Sequence, residues 1–199
     1  SAHRSLKTLS RMPMLTLEDL VSLFRERGDQ QYAGEPVSQL EHALQTAHLA
    51  EQAGADDAMV TACLLHDVGH LVAGLGGTPT LDGIDDTHEA LGARAIQHLF
   101  SRSVTDPIRW HVAAKRYLCH ADPGYHARLS EDSRRSLLLQ GGSFDADQAT
   151  RFMARTGARA AVDLRRWDDR AKQAGFMTPP LEHFLERAVR CKVGQRPAG

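Results

Sequence analysis

Cysteine is scarce in this sequence, alternating strand-like patterns are nearly missing, and neither sign of charge dominates. The three cysteines, Cys63, Cys119 and Cys191, are far apart and show no Cys-x-x-Cys spacing. That excludes a disulfide framework and fits a reducing compartment. Net charge is -1, which leaves no broad footprint for nucleic acid or an anionic membrane. No apolar run approaches the roughly 20 residues of a membrane helix. The first dozen residues are basic and polar, and no apolar signal-peptide core follows them. The expected location is therefore the cytoplasm. No internal repeat or low-complexity segment stands out.

What is present reads as helix. The chain has 199 residues, 42% of them hydrophobic and 25% charged, which suits one globular domain with a real core. Thr16-Leu-Glu-Asp19 and Ser38-Gln-Leu-Glu41 are capping boxes that open two helices. Gly28 ends the first, and residues 29–37 form a polar loop containing glycine and proline. A third helix runs from Asp56-Asp57 through Leu71. Residues 73–87 are rich in glycine, threonine and aspartate and read as a surface loop. Further helices are expected over about 87–100, 106–119 with Pro107 in the first turn, 130–139, 145–156, 158–173 and 180–192. The fold class is all-α, a bundle of about eight or nine helices. Residues 1–15 are expected to be a flexible segment, with one domain over 16–195.

Histidine is abundant, at 11 residues, which raises the prior for metal binding. His66-Asp67 sits inside an apolar stretch, Ala62-Cys-Leu-Leu-His-Asp-Val-Gly-His70. A helix interior is a costly place for ionisable groups unless something neutralises them, and metal coordination does so. The spacing puts His66 and His70 on one helix face. The two oxygens of Asp67 allow it to bridge two ions. His42, His88, His111 and Asp168 are further candidates on separate helices. Four imidazoles and two carboxylates suit two ions with positions open for substrate, and nitrogen–oxygen ligation without thiolate favours iron or manganese over structural zinc. A lone helical histidine is usually a capped or surface residue, and His3, His48, His98, His120, His126 and His183 are read that way. Lys115 lies four residues after His111, and Arg165 three before Asp168. Each shares a helix face with a ligand, although such residues more often lie on a solvated face. Two cations beside a metal cluster make an oxyanion pocket, to which Ser133 adds a hydroxyl. Glu35 lies in a loop that suits a mobile lid.

In the order His42, His66-Asp67, His88, His111 and Asp168, these residues resemble the HD-domain superfamily, from about residue 17 to 190. Most of its members are phosphohydrolases, and some hold two metals with this ligand set. A metal-dependent phosphohydrolase acting on a nucleotide or phosphomonoester is thus the alternative function. Three further segments, Tyr32-Ala-Gly-Glu35 with Gln39-Leu-Glu-His42, His111-Val-Ala-Ala-Lys-Arg-Tyr-Leu118 and Leu164-Arg-Arg-Trp-Asp168, are similar to the PhnZ-like phosphonate oxygenases. These are mixed-valent diiron enzymes related to myo-inositol oxygenase. The resemblance implies one iron held by His42, His66, Asp67 and Asp168, and a second held by Asp67, His88 and His111. Tyr32 would occupy the second iron in the resting enzyme. Lys115, Arg165, His70 and Ser133 would contact the phosphonate, and Glu35 would face the substrate's cationic nitrogen, with His70, Lys115 and Tyr32 the catalytic residues. It further implies a small-molecule partner, 1-hydroxy-2-aminoethylphosphonate or its trimethylated form, with dioxygen as cosubstrate and glycine or glycine betaine plus phosphate as products. Asp29, Tyr32, Glu35 and Asp85-Asp86 could serve either nitrogen, as acceptors for a primary ammonium or as longer-range carboxylates and an aromatic face for a quaternary one. The Gly76-Gly77 loop carries no aromatic residue, which leaves room for the trimethylated head.

Overall fold

A computed structural model describes residues 14–73 and 87–194. Eleven helical segments occur among the described residues: α1 (Leu17–Arg27), α2 (Gln39–Gln52), α3 (Asp57–Leu65), α4 (Val68–Ala73), α5 (His88–Ile96), α6 (Arg102–Ala121), α7 (Tyr125–Arg128), α8 (Glu131–Leu139), α9 (Ala146–Met153), α10 (Ala158–Arg170) and α11 (Leu181–Cys191). Strand pairing among the described residues is limited to two isolated bridges, Gln31 with Ser38 and Phe100 with Lys192. The fold is all-α. No helix among the described residues is long and apolar enough to cross a membrane. The expected flexible N-terminal stretch up to residue 13, the Gly76-Gly77 loop and Asp85-Asp86 lie outside the described residues.

The helix starts follow the capping chemistry. Thr16 with Asp19, and Ser38 with Glu41, each form a full reciprocal box, which satisfies orphan amides at the helix N-terminus. Asp145 with Gln148 makes a third. Helix α3 is the centre of the packing. Val60, Thr61, Ala62, Cys63, Leu64 and Leu65 are all buried, as expected of a helix with no polar face. Around it lie α2, α6, α10 and α11, and the main core joins Leu20 and Phe24 of α1 to Ile96, Ile108, Leu164 and Phe184.

The structure corrects two expected helices. The helix expected through Leu71 breaks at His66-Asp67, giving α3 and α4. The His66 ring supplies the reason. Its Nδ1 lies 2.7 Å from the Cys63 carbonyl, the acceptor that the Asp67 amide would use in an unbroken helix. The helix expected from Asp106 starts earlier, at Arg102, and Pro107 lies within it. The carbonyl that Pro107 leaves unbonded belongs to Ser103, an exposed residue, so the lost bond falls on the solvent side of the helix. The single turn α7 was not anticipated.

Helix α4 meets α5 through two glycines. A Cβ at Gly69 would lie 1.9 Å from the His88 carbonyl oxygen and 3.0 Å from the Gly92 nitrogen. Gly69→Ala is expected to force α4 away from α5, at a cost of about 2–3 kcal/mol for overpacking. His88 opens α5, so the same shift should lower metal content. Thermal melting and elemental analysis check the two effects together.

Candidate metal centre

Five elements deliver ionisable side chains to one buried point beside α3. His42 comes from α2, His66 and Asp67 from the break between α3 and α4, His88 from the start of α5, His111 from α6 and Asp168 from α10. They fall into two groups that share Asp67: His42, His66, Asp67 and Asp168, and Asp67, His88 and His111. Within the first, Asp67 Oδ2 lies 3.4 Å from His42 Nε2 and 3.1 Å from His66 Nε2, and Asp168 Oδ1 lies 3.2 Å from His42 Nε2. Within the second, Asp67 Oδ1 lies 2.8 Å from His88 Nε2 and 3.5 Å from His111 Nε2. One carboxylate thus turns one oxygen towards each group.

The donor set fits metal ions. Three rings place Nδ1 against a backbone carbonyl: His42 on Ala171 at 2.7 Å, His66 on Cys63 at 2.7 Å and His111 on Ile108 at 2.6 Å. With the Nδ1 proton committed there, Nε2 is the atom left to ligate. Those Nε2 atoms face one another, 3.1 Å apart for His42 and His66 and 3.2 Å for His88 and His111. Both oxygens of Asp67, and Oδ1 of Asp168, are buried without a hydrogen-bond partner. Converging lone pairs and orphaned carboxylate oxygens are stable around cations and costly otherwise.

The electrostatics agree. Burial pushes Asp67 up, but His66 and His88 outweigh it and hold the carboxyl well below its usual range. For Asp168 the burial penalty is outweighed first by Arg165, whose Nη1 lies 3.1 Å from Oδ2. Burial lowers His66, yet Asp67 and Asp168 raise it to about 10. A site with this field attracts positive charge, and a metal ion would displace that proton.

Beside the two groups, two buried cations, Lys115 and Arg165, stand near Ser133. Lys115 is buried at 2% exposure. Its ammonium donates to Ser136 Oγ at 2.6 Å and to the Ser133 carbonyl at 3.4 Å, and no carboxylate pairs with it among the described residues. Burial, then Arg165, lowers it to about 7. Arg165 Nη2 reaches Ser133 Oγ at 3.5 Å. Asp169 holds the guanidinium from behind through Oδ1, 3.0 Å from Nε and 2.6 Å from Nη2, and Tyr125 donates its hydroxyl to the same carboxylate.

Tyr32, Glu35 and His70 lie around these groups. The Tyr32 ring stacks on His42 at 3.9 Å, and His70 stacks on His88 at 4.0 Å. Burial, Asp67 and Asp168 raise the Tyr32 phenol well above 10. Among the described residues, Ala33 and Thr87 are the non-glycine residues with positive φ, at +46° and +48°. They adjoin Tyr32 and His88, the kind of place where backbone strain is kept for function. Glu35 is buried, and Lys172 Nζ lies 3.2 Å from its Oε1.

All six expected ligands and all six expected substrate residues therefore gather here. The histidines read as structural stay apart from the cluster. His98 bonds the Leu15 carbonyl at 2.6 Å, and His183 pairs with Glu51 at 2.9 Å; His3 lies outside the described residues. Asp29 is exposed. Lys172, Asp169 and Tyr125 were not anticipated. Asp169 carried a signal, since it sits four residues after Arg165 on one helix face.

An HD-domain family model matches residues 40–147. Over 174 residues the chain is 41% identical to the [1-hydroxy-2-(trimethylamino)ethyl]phosphonate dioxygenase (glycine-betaine-forming) of Leisingera caerulea, covering 87% of this chain and 89% of that protein. It is 39% identical over 185 residues to the hydroxymethylphosphonate dioxygenase of Gimesia maris, covering 92% of each. The chain belongs to the HD-domain phosphonate dioxygenases. It is accordingly an oxidoreductase, and its buried histidine–aspartate cluster suits metal binding.

Proposed function

We propose that the chain cleaves the carbon–phosphorus bond of (R)-1-hydroxy-2-(trimethylammonio)ethylphosphonate with dioxygen, giving glycine betaine and phosphate. The observation that carries this reading is the buried Lys115, without a carboxylate partner, set with Arg165 and Ser133 against a two-ion site. A buried ammonium with only neutral acceptors is poised for an anionic ligand. The stoichiometry closes with one dioxygen, because hydroxyphosphonate plus O2 yields carboxylic acid plus phosphoric acid with every atom placed.

Two irons in the Fe(II)/Fe(III) state would be held by His42, His66, Asp67 and Asp168, and by Asp67, His88 and His111. When bound, the ions supply the redox electrons for dioxygen and the Lewis acidity that draws in the substrate's hydroxyl and phosphonate oxygens. The chain's own residues do the rest. Lys115 and Arg165 neutralise the phosphonate, with Ser133 donating a hydroxyl and His70 approaching from the side of His88. This grip fixes the adjacent carbon near the ions. Tyr32 covers the site and keeps water out until substrate arrives. Glu35 presents a carboxylate to the quaternary nitrogen at longer range, since such a head cannot donate a hydrogen bond. The unpaired Cys63, Cys119 and Cys191 support a cytoplasmic location.

The test is single turnover by anaerobically purified, iron-loaded protein, with and without dioxygen. Oxygen-dependent release of phosphate with glycine betaine is expected, faster than release of glycine from the free-amine analogue. No oxygen-dependent product from either compound would sink the proposal, and phosphate release from a phosphomonoester without oxygen would put a phosphohydrolase in its place.

A further inference from the structure

Lys172 takes part in no role assigned so far, yet it stands between the two ends of the proposed substrate site. Its ammonium lies 3.2 Å from Glu35 Oε1 and 3.1 Å from Ser133 Oγ, with Ser130 Oγ at 3.4 Å. Its backbone is pinned on both sides. The Ala171 carbonyl is bonded to His42 Nδ1, and Gln173 is bonded through both backbone groups to the Gln45 side chain. The side chain is 11% exposed and Glu35 is 9% exposed. Two nearly buried partners therefore meet with little water to screen them. The contact has ion-pair distance, but Glu35 Oε1 receives no hydrogen bond, so no directional bond ties the lysine to that carboxylate.

We propose that Lys172 couples recognition of the phosphonate to recognition of the cationic head. In the free protein it neutralises Glu35. A phosphonate that accepts from Ser133 Oγ brings two negative charges beside the ammonium, which outcompete the single carboxylate at similar distance. Lys172 then turns to the phosphonate, and Glu35 is left facing the substrate's nitrogen. Three cations, Lys115, Arg165 and Lys172, so converge on the anion, and the carboxylate becomes available only once the anion is seated. A cation without a phosphonate finds Glu35 already paired.

This inference rests on the phosphonate reading above, and its test needs no turnover. The iron-loaded full-length protein is titrated under argon with tetramethylammonium and with methylphosphonate, the two halves of the proposed substrate. In the wild type, saturating methylphosphonate is expected to raise tetramethylammonium affinity about tenfold, and the reverse effect must be equal. In Lys172→Gln, tetramethylammonium binds without methylphosphonate and the enhancement falls below about twofold, within ordinary coupling energies. Melting curves and iron content unchanged by Lys172→Gln exclude a folding defect, and Lys172→Met serves if glutamine perturbs either. Equal tetramethylammonium affinity with and without methylphosphonate in the wild type would overturn the coupling. So would an enhancement that survives in the variant. If methylphosphonate itself fails to bind the wild type, the phosphonate reading has failed and the coupling falls with it.

Discussion

Asp67→Ala is expected to empty both ion positions at once. No other side chain in the cluster belongs to both groups. Its Oδ2 stands 3.1 Å from His66 Nε2 and its Oδ1 2.8 Å from His88 Nε2, so one truncation would take a donor from each group. It also removes the negative charge that, with Asp168, offsets two cations in a buried space. Metal content should fall from about two equivalents per chain to well under one, given how strongly affinity depends on a complete ligand set. Turnover should fall by on the order of 10³-fold, since a catalytic ion supplies several kcal/mol. His111→Ala makes the contrast. It belongs to the second group alone, so the first ion should stay. Elemental analysis of both variants separates the cases. One full equivalent retained by Asp67→Ala would mean that Asp67 does not bridge.

The convergence of the six side chains was legible because each member combines a chemical type with a position that burial makes expensive. His66-Asp67 in an apolar run is costly unless ions offset it, and His111 with Lys115 shares one face of a long helix. The capping boxes at Thr16 and Ser38 were legible for the same kind of reason, since the pattern states its own hydrogen bonds. What failed depended on competition between partners. The break after Leu65 arises because the His66 imidazole takes the Cys63 carbonyl, and no local pattern says which donor wins. Pro107 resembles a helix start, and only the exposure of Ser103 explains why it is tolerated inside α6. Lys172 was invisible for a different reason. It follows the end of α10, where a lysine ordinarily serves the helix dipole. Its contacts with Glu35 and Ser133 join segments 137 and 39 positions away, and only the tertiary fold brings them together.

Lys115→Met is expected to make the protein more stable and much worse at its task. In the free protein the Lys115 ammonium is buried with two neutral oxygens for partners and with Arg165 near enough to repel it. A side chain of similar length without the charge removes that penalty. Stability should rise by roughly 1–2 kcal/mol, as when buried charge gives way to apolar packing. The same change deletes a buried cation from the anion pocket, and KM for the phosphonate should rise about 30- to 1,000-fold, the usual cost of truncating one member of a buried charge pair. Iron content should not change, because Lys115 ligates nothing. The pH dependence carries the same signature. Burial and Arg165 bring Lys115 to about 7 when folded, against 10.5 for a lysine in water. Between those values the unfolded chain binds more protons than the folded one, so the stability term from this group rises as pH rises through the window. Binding runs the other way. The phosphonate needs the ammonium, so kcat/KM should fall as pH rises above about 7, approaching tenfold per unit. Lys115→Met should be low throughout and should lack that limb. A variant that melts lower than the wild type, with KM unchanged, would show that Lys115 supports the helix packing and leaves the anion to Arg165.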